Sequence, residues 1–173
     1  MAFELTYVGS LDLEHMEERY DGELELNGAT VKLDLNIEGT TLPLARAQAT
    51  EAFVSSLAAS TSVAKAFIET DLGNKKDTTV KDFLDFHIEE LPAKTLAKLL
   101  DRKSKLDKHR QLLAKLVLER VGLYPQTKGD GFAIFDFTFE GNRLVKGRRA
   151  ITDQIIAVYL DANGKVGHLS HES

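Results

Sequence analysis

The closing segment, residues 151–173, constrains the fold of this chain more than any other. Its first ten residues read Ile-Thr-Asp-Gln-Ile-Ile-Ala-Val-Tyr-Leu, which is typical of a strand that is apolar on both faces. Asp161-Ala162-Asn163-Gly164 predicts a tight turn, because Asn and Gly tolerate the positive φ that such turns need. Residues 165–170 alternate and can return as an antiparallel partner. Such a strand needs neighbours on both sides, so we expect strands from the two chain ends to meet in one sheet.

Three segments near the N-terminus alternate between apolar and polar residues, as strands with one buried face do. They cover residues 3–7, 20–26 and 31–37. Asn27-Gly28 joins the second to the third, and this pair is the strongest short signal for a β-hairpin. The polar positions are mostly acidic. We therefore expect three antiparallel strands with one acidic face in water.

The hydrophobic period becomes helical over residues 41–122. Thr41 is predicted to cap a first helix with Pro43 in its first turn, and Ser60-Thr61-Ser62 is predicted to interrupt the helices. Thr78 or Thr79 is predicted to cap a later helix. A last amphipathic helix is expected over residues 112–121, ended by Gly122, and strands resume at Gly131 with a phenylalanine-rich core strand over 132–139.

These patterns together predict one α+β domain over residues 1–173. In it, an antiparallel sheet of about six strands is built from both termini, with strands over 1–38 and 131–173. A central block of four to five helices over 41–122 packs on one face of that sheet. The chain is long enough to bury one full core.

The composition narrows the class of protein. A hydrophobic fraction of 43% and a charged fraction of 28% are those of an ordinary globular protein. Cysteine is absent, which excludes disulfides and thiolate metal sites. The start of the chain lacks the basic and apolar segments of a secretory signal, and no window approaches the roughly 18 apolar residues of a membrane span. We expect a cytoplasmic protein that does not interact with membranes.

The net charge of −5 is unevenly distributed. Residues 1–38 carry ten acidic and two basic side chains, whereas residues 102–149 carry twelve basic and five acidic ones. Such a layout can attract a charged partner, and two opposite segments can equally face each other within the fold.

An acidic strand face is the first candidate site, because it would attract a basic partner protein with fast, salt-sensitive association. Its carboxylates are Glu14, Glu17, Glu18, Asp21, Glu23 and Glu25.

A pocket between the helices and the sheet is the second candidate, and it would make the protein a small enzyme or a ligand-binding domain. Its polar groups would be Asp136, Asp153, Arg148 and Arg149. Two carboxylates on neighbouring strands can support acid–base chemistry, although Asp136 can equally face solvent. The common catalytic signatures are absent, which favours a non-enzymatic protein without deciding the question.

The basic loop is a third candidate, since Arg143, Lys146, Arg148 and Arg149 could contact phosphates. The loop has no aromatic residue for base stacking, so the sequence favours a solvated surface over nucleic-acid binding. His168 and His171 lie three apart, and on a strand such residues point to opposite faces. We therefore expect neither a metal site nor a cofactor.

The closing hairpin also resembles a known family. Thr152-Asp153-Gln154, Tyr159-Leu160-Asp161, Gly164-Lys165-Val166 and the final Leu169-Ser170-His171-Glu172-Ser173 resemble a family of uncharacterised bacterial proteins known only as a domain of unknown function. The likeness covers the closing segment, with weaker agreement in the N-terminal hairpin, and it implies no catalytic residues. Small acidic bacterial proteins of this class are often similar to immunity proteins, which bind and neutralise a toxin. That analogy implies a non-enzymatic interaction protein with a basic toxin as partner.

Overall fold

A computed structural model describes residues 1–75 and 79–173, and in them the chain forms ten strands, five α-helices and one short 3-10 helix, Gly129–Gly131. The strands are β1 (Ala2–Leu5), β2 (Gly9–Asp12), β3 (Arg19–Leu26), β4 (Ala29–Asn36), β5 (Leu116–Leu123), β6 (Ala133–Phe139), β7 (Leu144–Val145), β8 (Arg148–Arg149), β9 (Ile155–Leu160) and β10 (Val166–Glu172). The helices are α1 (Leu44–Ser55), α2 (Leu57–Gly73), α3 (Thr79–Glu90), α4 (Ala93–Leu99) and α5 (Lys108–Leu113). The predicted α+β class is confirmed.

The main sheet has six strands in the order β10-β9-β6-β5-β4-β3, so strands from the two chain ends do meet in one sheet. Its pairings are antiparallel except for β4 with β5, which run parallel and are connected through the helices. Strand β9 lies between β6 and β10, as its two apolar faces predict. The sheet is therefore mixed, since a connection as long as the helical block allows a parallel return.

The helices pack on one side of this sheet. Phe53 of α1 meets Phe132 and Phe135 edge to face, at ring-centroid distances of 5.4 and 6.1 Å. Phe83 of α3 lies 5.7 Å from Phe139. Each of these rings is almost completely buried, and burying such a side chain contributes about 1.5–3 kcal/mol. The aromatic positions of β6 thus fix which face of the sheet the helices cover.

The opposite side of the sheet, which we call the open face, carries the alternate residues of each strand. One row in register runs across all six strands from one edge to the other. From β3 to β10, it consists of Glu23, Lys32, Arg120, Asp136, Ala157 and Ser170. This face therefore places charged groups from distant parts of the sequence side by side.

The first predicted strand does not join the main sheet. Strands β1 and β2 form their own two-stranded sheet, and β2 was not foreseen from the sequence. The loop between them packs on Gly22 of β3, where a Cβ atom would lie 2.2 Å from the carbonyl oxygen of Tyr7. Only glycine allows this close approach of one backbone to another.

The predicted helix over residues 112–121 is wrong. Helix α5 ends at Leu113, and residues 116–123 form β5, an inner strand paired with β4 on one side and β6 on the other. The apolar residues of this segment are compatible with both periods. The strand prevails because both of its edges find hydrogen-bonding partners, which local sequence does not reveal.

Two predicted helix boundaries also differ from the structure. Helix α1 begins at Leu44 after Pro43, so Thr41 is not its cap. Helix α2 continues through residues 60–62, where Thr61 and Ser62 donate to the carbonyl oxygens four residues earlier, and the interruption falls at Ser56 instead. Thr78, one of the two predicted caps of α3, lies outside the described residues.

Candidate interaction surface

A buried ion network occupies the centre of the open face. Arg120 of β5 donates from Nε to Asp34 Oδ1 at 2.5 Å and from Nη2 to Asp34 Oδ2 at 2.8 Å. Its Nη1 donates to Asp136 Oδ2 at 2.8 Å. Asp34 is 2% exposed and Asp136 is 7% exposed, so Arg120 is the close counter-ion of two nearly dehydrated carboxylates.

Sheet register explains why these three residues meet. Asp34 lies on β4, two residues beyond the partner of Arg120, and Asp136 is paired directly with Arg120 on β6. An irregularity between Leu118 and Arg120 shifts the register of β5 against β6. A bulge of this kind redirects side chains, so that Glu119 and Arg120 both lie on the open face.

The network changes the pKa values of Arg120 and Asp136. Burial alone would lower the pKa of Arg120, but its hydrogen bonds to Asp34 and Asp136 outweigh burial and raise that pKa. Burial raises the pKa of Asp136, and the single bond from Arg120 only partly opposes this effect. Arg120 therefore binds Asp34 with two nitrogens and Asp136 with only one.

A concavity of about 610 Å³ opens beside the network, between β3, β4 and β5. Its polar lining contains both signs of charge: Arg19, Asp21, Glu23, Lys32, Asp34 and Arg120. Arg19 Nη2 lies 2.8 Å from Asp21 Oδ1 and 3.8 Å from Asp34 Oδ1. The concavity therefore joins the buried network to the exposed carboxylates at the edge of the sheet.

Three of the predicted acidic residues share one side of the edge strand β3. Asp21, Glu23 and Glu25, which we call the acidic row, are exposed and alternate with buried or half-buried residues on the other side of the strand. Glu23 is paired in register with Lys32, and Glu25 accepts a hydrogen bond from Thr30. The acidic face predicted from the sequence thus has a counterpart on the open face.

The other three predicted acidic residues lie outside the sheet. Glu14, Glu17 and Glu18 are exposed in the connection between β2 and β3. Glu14 forms an ion pair with the N-terminal amine at 3.0 Å. These residues extend the acidic surface toward the start of β3 but are not part of the acidic row.

A basic hairpin also stands on the open face. It consists of residues 143–149, where β7 and β8 are joined through Lys146 and Gly147, both at positive φ. The carboxamide of Asn142, 5% exposed, donates to Thr138 Oγ1 and to the carbonyl oxygen of Thr152. Arg149 forms an ion pair with Glu119 of β5. These contacts anchor the hairpin above β5 and β6.

Three of the four residues of the second predicted site contact other groups in the described part of the chain. Asp136 faces away from the helices and binds Arg120, whereas Arg149 binds Glu119. Arg148 is exposed in the hairpin, and Asp153 accepts a hydrogen bond from the neighbouring Gln154. No hydrogen bond or ion pair within the described residues joins any two of these four side chains. Phenylalanine rings pack between the helices and the sheet near β6.

The two C-terminal histidines lie in different surroundings. His168 stacks on Tyr159 at 4.2 Å and contacts Asp130 Oδ2 through Nδ1 at 2.6 Å. His171 packs against Phe83 of α3, and its buried Nε2 has no hydrogen-bond partner among the described residues. Burial lowers the pKa of His171, and burial also lowers the pKa of His87, whose ring packs at a tilt against the same Phe83 ring. Across residues 1–75 and 79–173, no three His, Cys, Asp or Glu side chains are grouped as metal ligands would be.

Comparison with other proteins found no relative of this chain. Neither the protein-family models, nor the curated proteins, nor the solved structures contain a match to this chain. None of the helices in the described part of the chain has the length and apolar character needed to cross a membrane. The resemblance of the closing hairpin to an uncharacterised bacterial family stays a prediction.

Proposed function

We propose that this chain is a non-enzymatic bacterial interaction protein of the immunity type, acting in the cytoplasm, which binds and neutralises a basic toxin through the acidic row. One observation carries the proposal. Asp21, Glu23 and Glu25 are exposed on the same side of an edge strand, on the face of the sheet that the helices leave free.

The position of the acidic row suits a protein partner. An edge strand has only one hydrogen-bonded neighbour, so its outer side is accessible to a second chain. The adjoining concavity of about 610 Å³ could receive a side chain from that partner. The buried network behind it is already satisfied by its own hydrogen bonds, so the partner would meet a surface that is held in place before binding.

Electrostatics favours a basic partner. Toxins that cleave nucleic acid present basic clefts, and carboxylates on a rigid strand would raise the rate of encounter with such a cleft. The attraction is screened by salt, because the Debye length shortens to about 8 Å at physiological ionic strength. Binding through the acidic row should therefore weaken as salt is added.

The experiment is affinity capture from a lysate of the native host, with the tagged protein at low and then moderate salt. We expect one protein retained in stoichiometric amount by the unaltered chain and released as salt rises. The double variant Glu23→Lys/Glu25→Lys should lose this protein. Retention by that variant as strong as by the unaltered chain would remove the acidic row from the account.

The chain offers a matched control. Glu89 and Glu90 are exposed near the end of α3, on another element, and Glu89→Lys/Glu90→Lys changes the net charge by the same amount. This variant should retain the partner. Loss of the partner by both variants would show that net charge, and not the acidic row, governs binding.

A further inference from the structure

The open face carries two patches of opposite charge. At one edge is the acidic row. Above β5 and β6 is the basic hairpin, which contains four basic and no acidic residues. No ion pair in the described part of the chain joins the acidic row to the hairpin, and none there involves Arg143, Lys146 or Arg148. Asp21 is paired with Arg19, whereas Glu23, Glu25 and the outer side of the hairpin have no ion-pair partner within the described residues and are available to an outside partner.

The two sides of the basic hairpin have different roles. Arg149 points toward the sheet, where it binds Glu119. Val145 and Arg148 are paired across the hairpin and so lie on its other side. Arg143 lies on that side too, because it is two residues before Val145 in the strand direction. All three are exposed, and Val145 retains 48% of its accessible surface. The outward side therefore offers two guanidinium groups flanking an apolar side chain.

The spacing of the patches permits a reciprocal contact. Strand β3 is separated from β5 by β4, and two strand spacings amount to about 10 Å. A two-fold axis that lies parallel to the sheet, midway between the patches, turns the acidic row of one molecule onto the hairpin of another. The same rotation places the second acidic row on the first hairpin, so one interface makes the charge contact twice.

We propose that a second copy of this chain docks on the open face, as a two-fold dimer in which each acidic row meets the partner's basic hairpin. This inference goes beyond the proposed function and does not depend on it. The two share the acidic row, however, so a dimer would compete with a basic toxin for the same carboxylates. Self-association would then hold the binding surface covered until a tighter-binding partner displaces the second copy.

The test uses sedimentation velocity of the full chain at low salt, with two variants of opposite design. Glu23→Lys/Glu25→Lys makes the row basic, and Arg143→Glu/Arg148→Glu makes the hairpin acidic. Each variant alone brings like charges together, and we expect its dimer to be weaker by about 100-fold or more. An equimolar mixture of the two variants places unlike charges together again at both contacts. The mixture should therefore dimerise, within about tenfold of the unaltered chain.

Three results would overturn the dimer: a monomeric unaltered chain, dimers that persist in both variants, or a mixture that remains monomeric. Far-UV circular dichroism verifies that each variant is folded, and Glu89→Lys/Glu90→Lys should dimerise as the unaltered chain does. Capture of the toxin is separable from this test, because Arg143→Glu/Arg148→Glu leaves the acidic row intact. That variant should lose the dimer and keep the partner, so failure of one proposal does not imply failure of the other.

Discussion

Replacing Arg120 by methionine tests the energetic importance of the buried network. The substitution keeps an apolar stem of similar length and removes the guanidinium. Both oxygens of Asp34 then lose a bond, at 2.5 and 2.8 Å, and Asp136 loses its 2.8 Å bond. Asp34 keeps Asn36 Nδ2 at 2.6 Å and the more distant Arg19 at 3.8 Å. Two nearly dehydrated carboxylates would thus remain without the close positive charge of Arg120 to balance them.

Removing one partner of a buried ion pair costs about 3–5 kcal/mol, which is a large share of the 5–15 kcal/mol that stabilises a typical domain. We expect Arg120→Met to lower the free energy of unfolding by about that amount, measured by urea denaturation followed by circular dichroism at neutral pH. Arg19 provides the control, because its side chain is 56% exposed and its ion pairs should contribute only about 0–1 kcal/mol. A loss below about 1 kcal/mol for Arg120→Met, or one equal to that of Arg19→Met, would refute the reasoning.

Three further expectations concern the packing around this face and at the end of the sheet. Burial lowers the pKa of His171 below its ordinary 6.5, so as pH falls this histidine is protonated in the unfolded chain before it is protonated in the folded chain. The free energy of unfolding should therefore hold its full His171 contribution above about pH 6.5 and decrease below that pH. Replacing His171 by Phe should reduce that decline in urea midpoints, and an unchanged decline would contradict the assignment. Gly22→Ala should lower the free energy of unfolding by about 2 kcal/mol or more, because the new Cβ would meet the Tyr7 carbonyl oxygen. Gly73→Ala is the control, since a Cβ there has open space and should not destabilise the fold. Equal melting temperatures for the two variants would disprove the close-contact explanation. Asn142→Ala removes the bonds that anchor the basic hairpin, so trypsin should cut at Arg148 several-fold faster, and an unaltered cleavage rate would argue against that anchoring role.

Features set by local backbone chemistry could be predicted from the sequence. Asn27 and Gly28 have φ of 53° and 79°, as a two-residue hairpin turn requires, and Gly164 has φ of 76° in the closing turn. The meeting of both termini follows from the apolar character of β9. In each case a few adjacent residues determine the outcome.

Features set by distant partners could not be predicted in this way. Residues 116–123 were expected in a helix, and only pairing with β4 and β6 makes them a strand. Because Arg120 was predicted to lie in a helix, its hydrogen bonds to Asp34 and Asp136 could not be inferred from the sequence. One signal was available: two charged residues, Glu119 and Arg120, stand between Leu118 and Val121, and Asp136 stands among the phenylalanines of β6. Buried charges in such positions need partners, and the partners here come from strands far apart in sequence.

The association rate with the captured toxin tests the central claim most directly. The account holds that the carboxylates of the acidic row attract a basic protein, so the rate should fall as salt rises. At low salt, Glu23→Lys/Glu25→Lys should associate about tenfold more slowly or worse, and Glu89→Lys/Glu90→Lys should stay within about twofold of the unaltered chain. Equal rates for the two variants, or a rate that does not respond to salt, would contradict the claim.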